Sequence, residues 1–152
     1  MKQLARAWII AAVLGASLAV GPPVAAPAAA AGCIQINRIY YDSPGSDTGS
    51  NSSLNAEYIR LKNVCSTGKS LRYWRIKDVA GHTYTFGTYT LKAGAYVKIH
   101  TGRGTNTSTD RYWGKAWYIW NNTIDTAYLR NGSGTLMDKC SYPNTTALYV
   151  NC

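Results

Sequence analysis

An all-β sandwich is the fold class this sequence predicts, and three observations predict it. Apolar and polar residues alternate through residues 57–64, 71–78 and 91–99, the pattern of strands buried on one face, and no 3.6-residue period interrupts them. Clusters of Gly, Asn, Asp and Ser divide the chain at roughly the 8 to 12 residue spacing of a sandwich. The four cysteines, Cys33, Cys65, Cys140 and Cys152, all follow an export-type N-terminus. An even set in that setting reads as two disulfides.

The N-terminus is set apart first. Lys2 and Arg6 precede an apolar run over residues 7–20 that gives way to small residues and prolines. Fourteen residues fall short of the roughly 20 a membrane span needs. Residues 1–31 are therefore expected to be a secretory signal peptide, cut close to residues 29–32, with residues 32–152 as one secreted, extracellular domain, free or associated with the cell wall. Ala31, Gly32 and Cys33 also resemble the end of a lipobox. However, Ala30 stands where Leu is usual, and the proline-rich stretch sets Cys33 too far beyond the apolar run. About 120 residues remain, enough for one core and not for two. Removing Lys2 and Arg6 from the 16 basic residues leaves 14 against 7 acidic ones, a net charge of +7. That balance favours anionic partners such as nucleic acid, teichoic acid or acidic polysaccharide, and equally serves solubility.

Along the mature chain, Ile34 and Ile36 share a phase that Ile39 and Tyr41 do not, which predicts a β-bulge at Asn37 and Arg38. Residues 42–55 are rich in Ser, Gly, Asn and Asp and read as an exposed loop. In residues 57–64 Ile59 and Leu61 turn inward while Arg60 and Lys62 face water. Trp74 and Ile76 share a face opposite Arg75 and Lys77. Tyr84 and Phe86 alternate with Thr85, and Ala95, Val97 and Ile99 with Tyr96 and Lys98. These runs read as a meander with one apolar face. A polar loop over 101–110 leads into an aromatic segment holding Trp113, Trp117 and Trp120. Ala127 and Leu129 then point inward before a turn at 131–134, Leu136 opens the return strand, and residues 147–150 add an edge strand. Eight to ten strands are expected.

Strand order favours one disulfide pairing of the three possible. If the strand after Cys33 runs antiparallel to the one ending at Val64, Cys33 lies beside Cys65, and Cys140 pairs with Cys152 across the C-terminal return. Without a CxxC, and with only His82 and His100 to supplement the thiols, a zinc site is disfavoured.

Catalytic chemistry finds no constellation. There is no GxSxG elbow, HExxH or phosphate loop, the thiols are expected to be oxidised, and His82 and His100 read as surface or structural residues. No cofactor is expected. Asp42, Asp47 and Glu57 flank one loop and could gather round calcium, although they lack the alternating spacing of a calcium loop. Turn capping by the two aspartates and a structural bond for Glu57 is the competing account. Asn51, Asn106, Asn121, Asn131 and Asn144 form sequons, read here as ordinary loop asparagines.

Basic and aromatic residues form the candidate ligand-binding set. Arg60, Lys62, Arg72, Tyr73, Arg75 and Lys77 are expected on the outward faces of adjacent strands, and Arg111, Tyr112, Trp113 and Lys115 fall together downstream. Such mixtures bind anionic polymers by charge and by stacking. Trp74 and at least one of Trp117 and Trp120 are expected in the core, since sandwiches need large aromatics between sheets.

The opening "IQINRIYYDSPGSD", Glu57 with Tyr58, Trp74 followed by Asp78, the Gly94 turn and the run "WNNTIDTAYLRNGSGTLMDKCSY" together resemble the lamin-tail domain over Ile34 to about Tyr142. The greatest similarity is to small secreted actinobacterial single-domain members. The resemblance implies an immunoglobulin-like β-sandwich and a non-enzymatic module binding a cell-surface protein or an anionic polymer. A secreted hydrolase of nucleic acid or phosphate esters, or a purely structural envelope protein, are the alternatives. Two departures stand out: Arg72 and Tyr73 replace a small pair, often Ser and Gly, and Ile124 replaces the Gly that commonly precedes the aspartate.

Overall fold

Residues 32–152 are described by the computed structural model, so the signal-peptide expectation for residues 1–31 lies outside the described residues. Eleven strands and one short helix are found among them. In chain order these are β1 (Ile34–Tyr40), α1 (Asn51–Ala56), β2 (Tyr58–Asn63), β3 (Lys69–Ser70), β4 (Arg75–Lys77) and β5 (Thr83–Thr85). There follow β6 (Thr90–Leu91), β7 (Tyr96–His100), β8 (Asp110–Tyr112), β9 (Asp125–Arg130), β10 (Leu136–Tyr142) and β11 (Tyr149–Asn151).

The strands form a five-stranded sheet ordered β11-β1-β2-β7-β8, a four-stranded sheet ordered β10-β9-β4-β5, and a two-stranded β3-β6 ribbon. The two larger sheets bury their inward positions against each other. Ile34, Ile36, Ile39, Ile59, Leu61, Val97 and Ile99 come from the first, and Ile76, Ala127, Leu129 and Cys140 from the second, all within one core cluster. Trp120, Phe86 and Tyr41 are its largest fully buried side chains, and Tyr41 stacks on Tyr142 with centroids 4.0 Å apart. The all-β, immunoglobulin-like sandwich is thus what forms. Both expected disulfides form as well, Cys33 with Cys65 and Cys140 with Cys152. The first pins the start of β1 to the end of β2, where the Val64 amide donates to the Cys33 carbonyl at 2.8 Å. The β1–β2 register slips between Ile36 and Arg38, which is the bulge the phase shift predicts.

Four expectations need correction. Residues 42–55 are not wholly an exposed loop: Asn51–Ala56 is helical, Ser50 caps it by accepting from the Ser53 amide, and Leu54 is buried. The run at 71–78 is not one strand, because only Arg75–Lys77 pairs. Residues 91–99 likewise yield two separate strands, since β6 ends at Leu91 and β7 begins at Tyr96. The runs do not make a simple meander either, since β2 lies beside β7 while β4 lies in the opposite sheet, and β8 pairs parallel to β7. Of the tryptophans, Trp120 is buried and Trp74 packs partly buried against the core, as expected, whereas Trp117 is exposed.

The break before β4 has a physical cause. The Trp74 amide donates to the Leu71 carbonyl at 2.9 Å, closing a β-turn whose third residue, Tyr73, has φ of 65°. Glycine is the usual occupant of such a position, which accounts for the small pair in the related pattern. The left-handed conformation costs a non-glycine residue about 1–2 kcal/mol, and glycine's extra freedom when unfolded returns about 0.5–1 kcal/mol. Tyr73 is 56% exposed, so its ring contributes little burial. Tyr73→Gly is therefore expected to raise stability by about 0.5–1 kcal/mol, measured as a shift in the urea midpoint at constant slope. A lower midpoint would show that contacts of the tyrosine ring outweigh the turn strain.

Candidate polyanion-binding face

The outward positions of the five-stranded sheet fall into rows, because antiparallel and parallel pairing here keep the same parity across all five strands. Tyr149, Tyr40, Tyr58, His100 and Tyr112 are successive cross-strand partners. Their ring centroids are spaced 5.7, 5.4, 5.8 and 5.1 Å. Two residues along each strand lies a second row: Asn151, Arg38, Arg60, Lys98 and Asp110. A third places Gln35, Lys62 and Tyr96 side by side. An aromatic row thus runs beside a cationic one across the sheet.

Like charges facing each other across strands oppose folding by about 0.2–1 kcal/mol per pair, and Arg38, Arg60 and Lys98 are direct neighbours. The fold holds them in place without neutralising them. The Arg38 Nε donates to Asn151 Oδ1 at 2.8 Å and the Arg60 Nε to Asn37 Oδ1 at 2.8 Å, the latter supplied by the bulge. Arg38 also lies 4.3 Å over the Tyr149 ring, Arg60 4.9 Å over Tyr96, and Lys98 5.0 Å over Tyr58. These amide and ring contacts orient the cations and leave their charge available.

Most acidic residues, by contrast, are engaged by hydrogen bonds within the protein, and Asp110, opposite Lys98, ends the row. Asp125 accepts from the Val79, Asn121 and Thr126 amides, and Asp138 from the Ile36 and Lys139 amides. Asp78 accepts from the Gly81 and His82 amides and the His82 ring. The His100 ring is held between the Asn55 carbonyl, 2.7 Å from Nδ1, and Asp110 Oδ1, 2.9 Å from Nε2. Hydrogen bonds from His100 and then Thr109 hold the Asp110 carboxyl below its ordinary range. Among the described residues the ion pairs found are His82–Asp78 and His100–Asp110, so no Lys or Arg there forms a salt bridge with a carboxylate.

Against this geometry the sequence-predicted set divides. Arg60 and Lys62 stand on the five-stranded face, with Tyr112 closing its aromatic row. Arg75 and Lys77 project from β4 on the opposite sheet, and Arg72 and Tyr73 sit in the turn before it, the Arg72 guanidinium 4.7 Å over the Tyr73 ring. They are not on strands adjacent to β2. Arg111 instead lies 4.2 Å over Tyr89, with its Nε buried. Trp113 packs partly buried against Tyr84 and Trp120, and Lys115 belongs to the segment hydrogen-bonded back to Thr101. Sequence reasoning did not nominate Arg38, Tyr40, Tyr58, Tyr96, Lys98, His100 or Tyr149. Their signal was the outward parity of strands whose inward residues were read correctly.

The calcium expectation finds no cluster. Asp42 and Asp47 are bridged by the Asn122 side-chain amide at 3.3 and 3.1 Å, while Glu57 is buried, accepting from Thr101 Oγ1 at 2.5 Å and the Ile119 amide at 2.8 Å. No group of three His, Cys, Asp or Glu side chains suited to a metal occurs among the described residues. No helix among them is long and apolar enough to cross a membrane.

A comparison with curated proteins finds no match. The family model of the lamin tail domain, a non-enzymatic immunoglobulin-like domain, matches residues 27–144, and this chain belongs to that family.

Proposed function

We propose that this lamin tail domain is a secreted, non-enzymatic binding module that holds anionic polymers, nucleic acid or a cell-wall polyphosphate, on the outer face of its five-stranded sheet. The observation that carries the reading is the row Arg38–Arg60–Lys98, like-charged neighbours kept close together with no carboxylate bonded to any of them. The two disulfides and the export-type N-terminus support an extracellular setting.

The rings favour backbone over base recognition. Tyr40 stacks between Tyr149 and Tyr58, and cations cover Tyr58, Tyr96 and Tyr149. The faces on which bases would stack are largely occupied. What the surface offers is charge for phosphate groups, which binds without sequence preference.

Neutralising about three phosphates gives a log–log salt slope near −3 and an affinity loss of about 40-fold between 50 and 200 mM salt on duplex DNA. Replacing Arg38, Arg60 and Lys98 together with Gln is expected to flatten that slope toward zero, while Arg75→Gln with Lys77→Gln on the opposite sheet leaves it unchanged. Fluorescence anisotropy with duplex DNA, single-stranded RNA and teichoic acid measures both. Salt-independent or absent binding to all three defeats the reading, and loss only in the Arg75/Lys77 variant moves the site to the other face.

A further inference from the structure

At the end of the sandwich where β9 begins lies a groove of about 490 Å³ that differs from the rest of the molecule in charge and polarity. Its walls carry no Lys or Arg, although the mature chain holds fourteen. Three large apolar side chains stand exposed on it, Trp117 at 63%, Val79 at 65% and Ile124 at 66%. Exposure on that scale costs a soluble domain solubility without serving its core. The groove is also built: a Cβ at Gly49 would come within 2.6 Å of the Trp117 ring, and the Gly49 amide donates to the hydroxyl of neighbouring Tyr118.

We infer that this groove is a second, separate binding site for a neutral oligosaccharide. A polyanion has no cation to meet here. A cationic peptide would meet a single exposed carboxylate, Asp47, since Asp125 is buried and occupied by backbone amides and Asp42 does not line the groove. What remains around the indole is mixed and planar: the Asn121 side-chain amide nitrogen and the Asn122 side-chain oxygen have no partner among the described residues, and Asp47 keeps a second carboxylate oxygen. Donors and acceptors beside an exposed indole match the hydroxyl groups and C–H face of a pyranose ring.

The test titrates the full mature protein with chitohexaose, cellohexaose and a lysine-rich peptide, following tryptophan emission and saturation transfer from sugar protons to the Trp117 indole. Saturable binding of either sugar is expected, with Trp117→Ala and Asn122→Ala weakening it about tenfold and Arg60→Gln with Lys98→Gln leaving it unchanged. That last pair separates this site from the polyanion face, whose failure would not affect the sugar titration. Saturation transfer on the wild-type protein decides the matter even if a variant unfolds. Binding of the peptide alone, no sugar binding at millimolar concentration, or sugar binding without transfer to Trp117 overturns the inference.

Discussion

Replacing Cys33 and Cys65 with alanine is expected to lower the unfolding free energy by about 4 kcal/mol, and removing the Cys140–Cys152 bond by about 3 kcal/mol. The figures follow from loop closure in the unfolded chain, for separations of 32 and 12 residues, and grow slowly with loop length. The larger effect belongs to the bond joining β1 to β2, the pair at the centre of the five-stranded sheet. The smaller one carries a second consequence. Strand β11 meets β1 through three residue pairs and supplies Tyr149 and Asn151 to the outer face, so freeing Cys152 releases one end of both rows. Urea unfolding of each double variant, with amide exchange over β11, measures these effects. A cost below about 1 kcal/mol for the Cys33–Cys65 variant would show that β1 and β2 hold their register without the crosslink.

Strand interiors were legible because alternation reports burial directly. Ile59 with Leu61 and Val97 with Ile99 are buried as read, and the phase shift at Asn37 marks the observed slip in register. Alternation does not say which sheet a strand joins. Arg60 with Lys62 and Arg75 with Lys77 carry the same local pattern yet face opposite sides of the molecule, since the chain crosses between sheets after β2. The cationic row is assembled from three strands, and β7 lies beside β2 although β3 to β6 separate them along the chain, so no window of sequence contains it. Helix α1 escaped for another reason. Six residues are too few to show a helical period, and its signals were a capping Ser50 and a single buried Leu54.

The two proposed sites divide the chemistry of the surface between them. Most carboxylates are held in turns and the core, which leaves Asp110 beside the cations of the sheet face, and Asp47 reaches the Trp117 groove under the Asn122 amide. A protein that binds both a polyanion and a neutral glycan could bridge two wall polymers, and the independent variants described for each site separate those contributions.

Raising pH from 4.5 to 7 is expected to weaken the fold by about 3 kcal/mol through Glu57 alone. This carboxyl is 0% exposed. Burial pushes its pKa up from 4.5 to about 7, against hydrogen bonds from Ile119, Thr101 and the Trp120 backbone that lower it. The folded state therefore holds a proton that the unfolded chain releases above about 4.5, so the contribution is complete below that pH and lost as pH rises through 7. Above 7 the native state keeps a buried carboxylate whose Oε2 has no partner. Glu57 also accepts the Ile119 amide, a bond that lowers its pKa and so strengthens on ionisation, which leaves the cost with the buried charge itself. Glu57→Gln preserves an acceptor for Ile119 and Thr101 and removes the titration. The difference in unfolding free energy between wild type and variant should shift by about 3 kcal/mol in favour of the variant between pH 4.5 and 7.5. Taking that difference cancels every contribution the two proteins share. A flat difference would mean that Glu57 ionises in the folded protein as it does in the unfolded chain.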